Sequence, residues 1–190
     1  DTIGLLSTFI EKNSKLLSSY KWFGNYLEHE EIKNFIKKHF TIVWLRYFKL
    51  QIPFLIRSRQ AFRDLETWIV WGNIALYTQS KLVQQKEKIL KSSLKFENYM
   101  ENIINFKLDN GVNASSIADI SSIPRATAIR KLKWLVKQNA IFRNKNLEYQ
   151  LNKTGKLNTK IKENFMLNHA AVIDFLTDIF DYIKNSNFKK

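Results

Sequence analysis

The sequence predicts a mainly α chain with one small β-hairpin, and three observations point there. Five glycines and two prolines in 190 residues leave little material for tight turns. Apolar residues recur at helical spacing near both ends of the chain. One stretch, Ala140 to Leu151, instead places two short apolar runs around the polar turn Asn144-Lys145-Asn146, the pattern of a β-hairpin. Apolar residues make up 45% and charged residues 25%, which excludes a mainly disordered chain. The length fits one domain or two small ones and allows a sizeable core.

Taken in order, residues 2–20 carry Ile3, Leu6, Phe9, Ile10, Leu16, Leu17 and Tyr20 on a helical stripe, and Gly24-Asn25 suggest a break. A second helix from about His29 shows Ile32, Ile36, Phe40, Val43 and Tyr47, and is expected to stop before Pro53. Pro53 suits the first turn of a third helix reaching about Gln85, which Gly72-Asn73 would kink or split. A fourth helix is expected over residues 88–108, ending in a left-handed cap at Asn110-Gly111. Asn113 or Ser115 then caps a short helix bearing Ile117, Ala118 and Ile120. Ser121-Ser122 turn the chain, and Ile123-Pro124 lead into a longer helix ending near Gln138, with Asn139 as a left-handed C-cap. Ala128, Ile129, Leu132, Leu135 and Val136 form its inner face. Ala126, Thr127, Arg130, Lys133, Trp134 and Lys137 form the outer one, with Lys131 at the margin. After the hairpin, residues 156–183 read as a last helix with Leu157, Ile161, Phe165, Val172, Leu176, Ile179 and Ile183 on one face. Ile173 and Phe180 widen that stripe. The expected division is 1–88 as a helical region, 89–155 as a binding domain and 156–190 as a C-terminal helix.

The charge is concentrated. Thirty-one Lys and Arg against seventeen Asp and Glu give a net of +14, which suggests a polyanionic partner. Residues 123–160, one fifth of the chain, hold ten basic residues and Glu148 as their only acid, a net of +9. Lysine is also abundant for compositional reasons in a chain rich in Asn, Ile and Phe, so the location of the charge carries the argument. On that ground Lys133 and Lys137 have the weakest case.

Short helix, turn, longer helix and basic hairpin is the order of a winged helix-turn-helix. The stretch IADISSIPRATAIRKLKWLVKQNAI resembles winged-helix regulators of the MarR and IclR type over about residues 90–160. The shared pattern falls on Ala118, Ser121-Ser122, Ile123-Pro124, Ala126, Thr127, Arg130 and Leu132, and YQLNKTGK looks like the usual exit from the wing. Ser122 and Asn139 stand where these families usually carry Gly. The resemblance implies a double-stranded DNA-binding transcriptional regulator whose longer helix enters the major groove. Arg125, Ala126, Thr127 and Arg130 would then meet base edges. Lys131, Lys133 and Lys137 would meet phosphates. Ser115 and Ser116 would add phosphate contacts at the start of the preceding helix. Arg143 and Lys145 of the hairpin would reach the backbone or the minor groove. Trp134 reads better as packing on the hairpin or a neighbouring helix.

Other classes fit less well. Without cysteine, the chain has no disulfide framework, cysteine nucleophile or thiolate metal site. His29, His39 and His169 are too scattered for an ordinary zinc constellation. A Gly-rich phosphate loop, a Gly-x-Ser-x-Gly elbow and a His-Glu-x-x-His motif are all missing, so no enzyme and no cofactor are expected. Glu30-Glu31, Asp174 and Asp178 read as exposed helix charges. An RNA-binding reading lacks a stacking strand or a Gly-rich clamp. The alternative in a different class is a winged-helix adaptor that docks an acidic protein partner.

The apolar run from Phe40 to Ile56 is broken by Arg46, Lys49, Gln51 and Pro53, so it does not supply a membrane span. No signal peptide is recognisable, and a cytoplasmic protein is the simplest reading. The chain starts at Asp1 rather than Met, so residues ahead of it are expected. The aromatic cluster of Trp22, Trp44, Trp68, Trp71, Phe40, Tyr47, Phe48, Phe54 and Phe62 reads as core or subunit interface, and His39 as a partly buried polar residue. Regulators of the resembled type often carry a small-molecule effector pocket among such helices. Wide apolar faces on residues 2–20 and 161–183 point to a homodimer.

Overall fold

The computed structural model describes residues 1–19, 27–85, 108–152 and 155–186. The elements are α1 (Thr2–Ser19), α2 (His29–Lys38), α3 (Phe40–Phe62), α4 (Leu65–Gln85), α5 (Ala114–Ser121), α6 (Arg125–Lys137), β1 (Ile141–Arg143), β2 (Tyr149–Leu151) and α7 (Lys156–Asn185). The described residues are mainly helical, with one two-stranded antiparallel sheet. Ile141 pairs with Leu151, Phe142 with Gln150 and Arg143 with Tyr149. No helix among the described residues is long and apolar enough to cross a membrane.

Two compact units divide the chain. The first comprises residues 1–54 and 167–190, the second residues 55–166. In the first, α1, α2, the start of α3 and the end of α7 enclose a core that includes Ile10, Ile32, Phe35, Ile36, Val43 and Ile179. Arg46 Nη1 pairs with Asp178 Oδ2, so this acid is an ion-pair partner rather than a solitary helix charge. His39 sits between α2 and α3, with Nδ1 3.1 Å from Tyr182 Oη and its ring against Phe35, in line with the expected partly buried polar role. In the second unit, α4 packs against both α5 and α6. Their shared core includes Phe62, Val70, Ile74, Ile117, Ala128, Leu132, Leu135, Ile141 and Tyr149. The aromatic cluster is thus shared out: Trp44 and Tyr47 pack on the first core, Trp68 and Trp71 on the second. Trp22 lies outside the described residues.

Several expected boundaries move. Pro53 lies inside α3 and does not start a helix. It lacks the N–H that would bond the Lys49 carbonyl, but the helix continues with apolar side chains on both sides. The breaks fall instead at His39, whose N–H closes α2 on the Phe35 carbonyl at 2.9 Å, and at Arg63, which is left-handed with φ 69°. Asp64 then caps α4, its Oδ1 accepting from the Thr67 N–H at 2.8 Å. Gly72 is an ordinary helical position with open space around it, so α4 is not split there. Helix α4 groups with residues 108–152 rather than with an N-terminal domain ending at 88, and α7 contributes to both units rather than standing apart. On α7, Leu157, Ile161, Ile179, Phe180 and Ile183 are buried as expected and Phe175 joins them, while Ile173 is 61% exposed. The helix expected over 88–108 falls almost wholly outside the described residues. Its cap is absent: neither Asn110 nor Gly111 has a positive φ.

Two helix ends show why the chain turns where it does. After α5, the Ser122 N–H bonds the Asp119 carbonyl at 3.2 Å and the Ile123 N–H bonds that of Ala118 at 3.1 Å. After α6, the Asn139 N–H bonds Val136 at 2.9 Å and the Ala140 N–H bonds Leu135 at 3.0 Å. Each is a Schellman closure around a left-handed residue, Ser122 (φ 53°) or Asn139 (φ 54°), sealed by a buried apolar pair. A left-handed serine costs about 1–2 kcal/mol, offset in part by the larger backbone entropy of an unfolded glycine. Ser122→Gly is therefore expected to raise the unfolding free energy by about 0.5–1 kcal/mol in urea denaturation. An unchanged or lower midpoint would show that Ser122 is not strained.

Candidate nucleic-acid interface

Helix α6 is amphipathic in the sense that matters for a binding surface. Ala128, Leu132 and Leu135 are fully buried. On the outside, Arg125, Ala126, Arg130, Lys133 and Lys137 are exposed, while Thr127 and Trp134 are half-buried. Trp134 packs against the core of the second unit, as its packing reading expects. No acidic residue interrupts positions 125–137, so the helix brings no acid of its own to this outer surface. Ser115 and Ser116 are half-buried in the first turn of α5. There the Ser116 N–H is already taken by Asn113 Oδ1 at 2.8 Å, with Asn113 as the cap.

The hairpin is held by its own side chains. Leu147 is left-handed at φ 64°. The Asn144 N–H bonds the Glu148 carbonyl at 2.8 Å, and the Glu148 N–H bonds Asn144 Oδ1 at 2.9 Å. Arg143 donates from Nε to the Leu147 carbonyl at 3.3 Å, and its guanidinium lies 5.6 Å from the centre of the Tyr149 ring. Both Arg143 and Lys145 are exposed. The lone acid of residues 123–160, Glu148, is occupied inside the turn. Its Oε2 accepts from the Gly111 N–H at 2.9 Å and from Asn144 Nδ2 at 3.1 Å. The Gly111 N–H, and then the Asn144 amide, hold its carboxyl below the usual range.

Three features of this region were not expected from sequence. Val112 pairs with Tyr149 through two bonds, 3.0 and 2.8 Å, which adds a third edge to the hairpin. Gly111 is required by that approach: a Cβ there would lie 2.6 Å from the Tyr149 carbonyl oxygen. The signal was present as an isolated Gly before an apolar residue, but it reads equally well as a helix cap. The third feature is the environment of Lys131. Its ammonium lies 2.6 Å from Asp64 Oδ2 and 3.3 Å from Glu66 Oε2, and its side chain is only 11% exposed. Asp64 and Glu66 are the corner and first turn of α4, 65 or more residues away in sequence. Partial burial raises the Asp64 carboxyl. The Lys131 ammonium, with the Thr67 N–H and hydroxyl, outweighs this and brings it below its ordinary value. Lys131 is thus engaged by protein carboxylates, and the expectation of a phosphate contact from it is withdrawn.

The other ten expected contact residues, Ser115, Ser116, Arg125, Ala126, Thr127, Arg130, Lys133, Lys137, Arg143 and Lys145, lie on α5, α6 and the hairpin, all built on one core. Among the described residues, no three His, Asp or Glu side chains are grouped so as to hold a metal ion. Comparison with family models, curated proteins and solved structures finds no match to this chain.

Proposed function

We propose that the protein is a sequence-specific, double-stranded DNA-binding transcriptional regulator that acts as a homodimer, with residues 108–152 working as a winged helix-turn-helix. The observation that carries this reading is the acid-free outer surface of α6 beside a hairpin whose one carboxylate is used internally. The charge distribution supports it. Residues 55–166 hold twenty basic and nine acidic residues, a net of +11 out of +14. Arg125, Ala126, Thr127 and Arg130 occupy the first turn and a half of α6, the part of a recognition helix that meets base edges. Lys133, Lys137, Arg143 and Lys145 supply charge for the phosphate backbone. Dimerisation draws support from Leu5, Leu16, Leu45, Phe48, Ile52, Leu167 and Ile173 of the first unit, large apolar side chains that remain exposed.

The test is fluorescence anisotropy with labelled duplexes from about 50 to 200 mM salt, first on random duplex and single strand, then on a selected operator. Duplex binding that exceeds single-strand binding and falls steeply with salt is expected. Arg130→Ala should weaken the operator by about 1–3 kcal/mol and relax preference at one position. Lys145→Ala should weaken every duplex about equally and lower the salt slope by about one unit. Identical effects of both substitutions on operator and random DNA would rule out base readout by α6. No duplex binding at low salt would overturn the reading and turn attention to an acidic protein partner.

A further inference from the structure

We propose that Asp64, Glu66 and Lys131 form a positioning cluster that fixes the rotation and depth of α6 and thereby sets how faithfully Thr127 and Arg130 read a base pair. This rests on the DNA-binding reading above, and it gives Lys131 a role in specificity without contact to DNA.

The argument begins with helix geometry. Lys131 is four residues after Thr127 and three before Trp134, so it stands beside both at the margin between the outer surface and the core. Its ammonium bridges two carboxylates, one from the cap and one from the first turn of α4, at 2.6 Å to Asp64 and 3.3 Å to Glu66. Asp64 is not free to follow it. Its other oxygen, Oδ1, accepts from the Thr67 N–H and the Thr67 hydroxyl, both at 2.8 Å, and so is committed to the start of α4. Arg63, left-handed at φ 69°, fixes the chain direction just before that cap. One carboxylate therefore joins the corner ahead of α4 to the flank of α6 with an oxygen for each.

The apolar contacts of α6 leave this degree of freedom less tightly defined. Ala128, Leu132 and Leu135 hold the helix on the core, but dispersion contacts change gradually when a helix slides or rolls slightly. A short charge-assisted hydrogen bond is directional and does not. A reading contact needs its side chain held to roughly 0.5 Å, so such a bond at the margin of the helix is where precision is gained. The cluster also pairs the two acids nearest the basic surface with one lysine, and takes that lysine of α6 out of the phosphate-facing set.

The test compares the operator with a random duplex by anisotropy across salt, using the full chain. Lys131→Met is expected to lower the operator-to-random affinity ratio by about tenfold, the size of coupling usual within one charge network. Lys131→Arg, which can still reach both carboxylates, is expected to keep most of that ratio. Asp64→Asn with Glu66→Gln leaves a good cap at position 64 yet removes both of the charges that hold Lys131. That pair should lower the ratio similarly and raise the random-duplex salt slope by about one unit as Lys131 becomes free for phosphate. Adding Lys131→Met to the pair should cost no further discrimination. The pair also serves if Lys131→Met does not fold. The inference is overturned if Lys131→Met weakens both duplexes equally and lowers the slope by one unit, or if the Asp64/Glu66 pair leaves the ratio unchanged. A wild-type chain that binds no duplex overturns the DNA-binding reading itself, a failure visible before any variant is made.

Discussion

Gly155→Ala is expected to lower the unfolding free energy of the protein by about 3 kcal/mol or more, at the upper end of overpacking penalties. A Cβ at this position would lie 2.2 Å from the Asn139 carbonyl oxygen, 2.7 Å from the Asn139 carbonyl carbon and 3.3 Å from the Ala140 nitrogen. All three are backbone atoms, and none can move as a side chain would. Asn139 and Ala140 carry the two N–H groups that close α6, bonded to Val136 and Leu135. The Ala140 carbonyl also accepts from the Asn152 N–H at 3.0 Å, continuing the hairpin ladder. Relieving the clash must therefore disturb the end of α6, the exit of the hairpin or the start of α7. Urea denaturation followed by tryptophan fluorescence measures the loss. Gly72→Ala is the control, since open space there predicts a gain of about 0.5–1 kcal/mol. A Gly155→Ala midpoint equal to wild type would show that residue 155 does not approach Asn139.

Both glycines illustrate how much of this fold could be read in advance. Segments with strong periodicity were legible to within a residue or two: α1, α6, α7 and both strands of the hairpin. In these the local signals agree, because an apolar stripe, a cap and a turn residue all mark the same element. Asn113 and Asn139 as caps were legible for the same reason. Where two local rules compete, the louder signal in the sequence misleads. Pro53 and Gly72-Asn73 are the conspicuous breakers between residues 40 and 85, yet the real corner is Arg63-Asp64, two residues of ordinary appearance. The stop is made by a left-handed arginine together with an aspartate cap, and no residue type announces the first of these. Gly111 is marked by its sequence context as a helix cap, which it is not. It allows close approach to Tyr149, a contact 38 residues away, and not a positive φ.

The candidate site divides in the same way. Exposure of Arg125, Arg130, Lys133, Arg143 and Lys145 follows from helical phase and from their place on a hairpin, both local properties. The capture of Lys131 does not, because its partners Asp64 and Glu66 are brought to α6 by the packing of α4. A one-dimensional count of charge sees ten basic residues in 123–160 and does not show which of them pair with acids from elsewhere in the chain. Tertiary structure withdraws one of them, and with it one counterion from the expected salt dependence.

Leu132→Ala separates stability from recognition, and its expected effect is second in size. Leu132 is fully buried at the centre of the inner face of α6, in the same core as Ile117, Ala128, Leu135 and Ile141. Truncation removes apolar contact and leaves a cavity whose neighbours belong to separate elements, so a loss of about 2–5 kcal/mol is expected. For a chain of this length, that corresponds to a fall of roughly 5–15 °C in Tm. Arg130 is its counterpart, two residues away on the exposed side, and Arg130→Ala should change stability by no more than about 0.5 kcal/mol. The two variants should therefore exchange phenotypes. Below its own melting temperature, Leu132→Ala retains the operator-to-random preference, because every group assigned to base readout is still present on α6. Arg130→Ala melts with the wild type and loses the part of that preference due to one base contact, about 1–3 kcal/mol. Melting curves by circular dichroism and anisotropy at about 10 °C below the lower midpoint decide the matter. If Leu132→Ala melts with the wild type, the inner face of α6 is not packed as described. If Arg130→Ala keeps full preference, base readout belongs to other residues of the helix or to the hairpin.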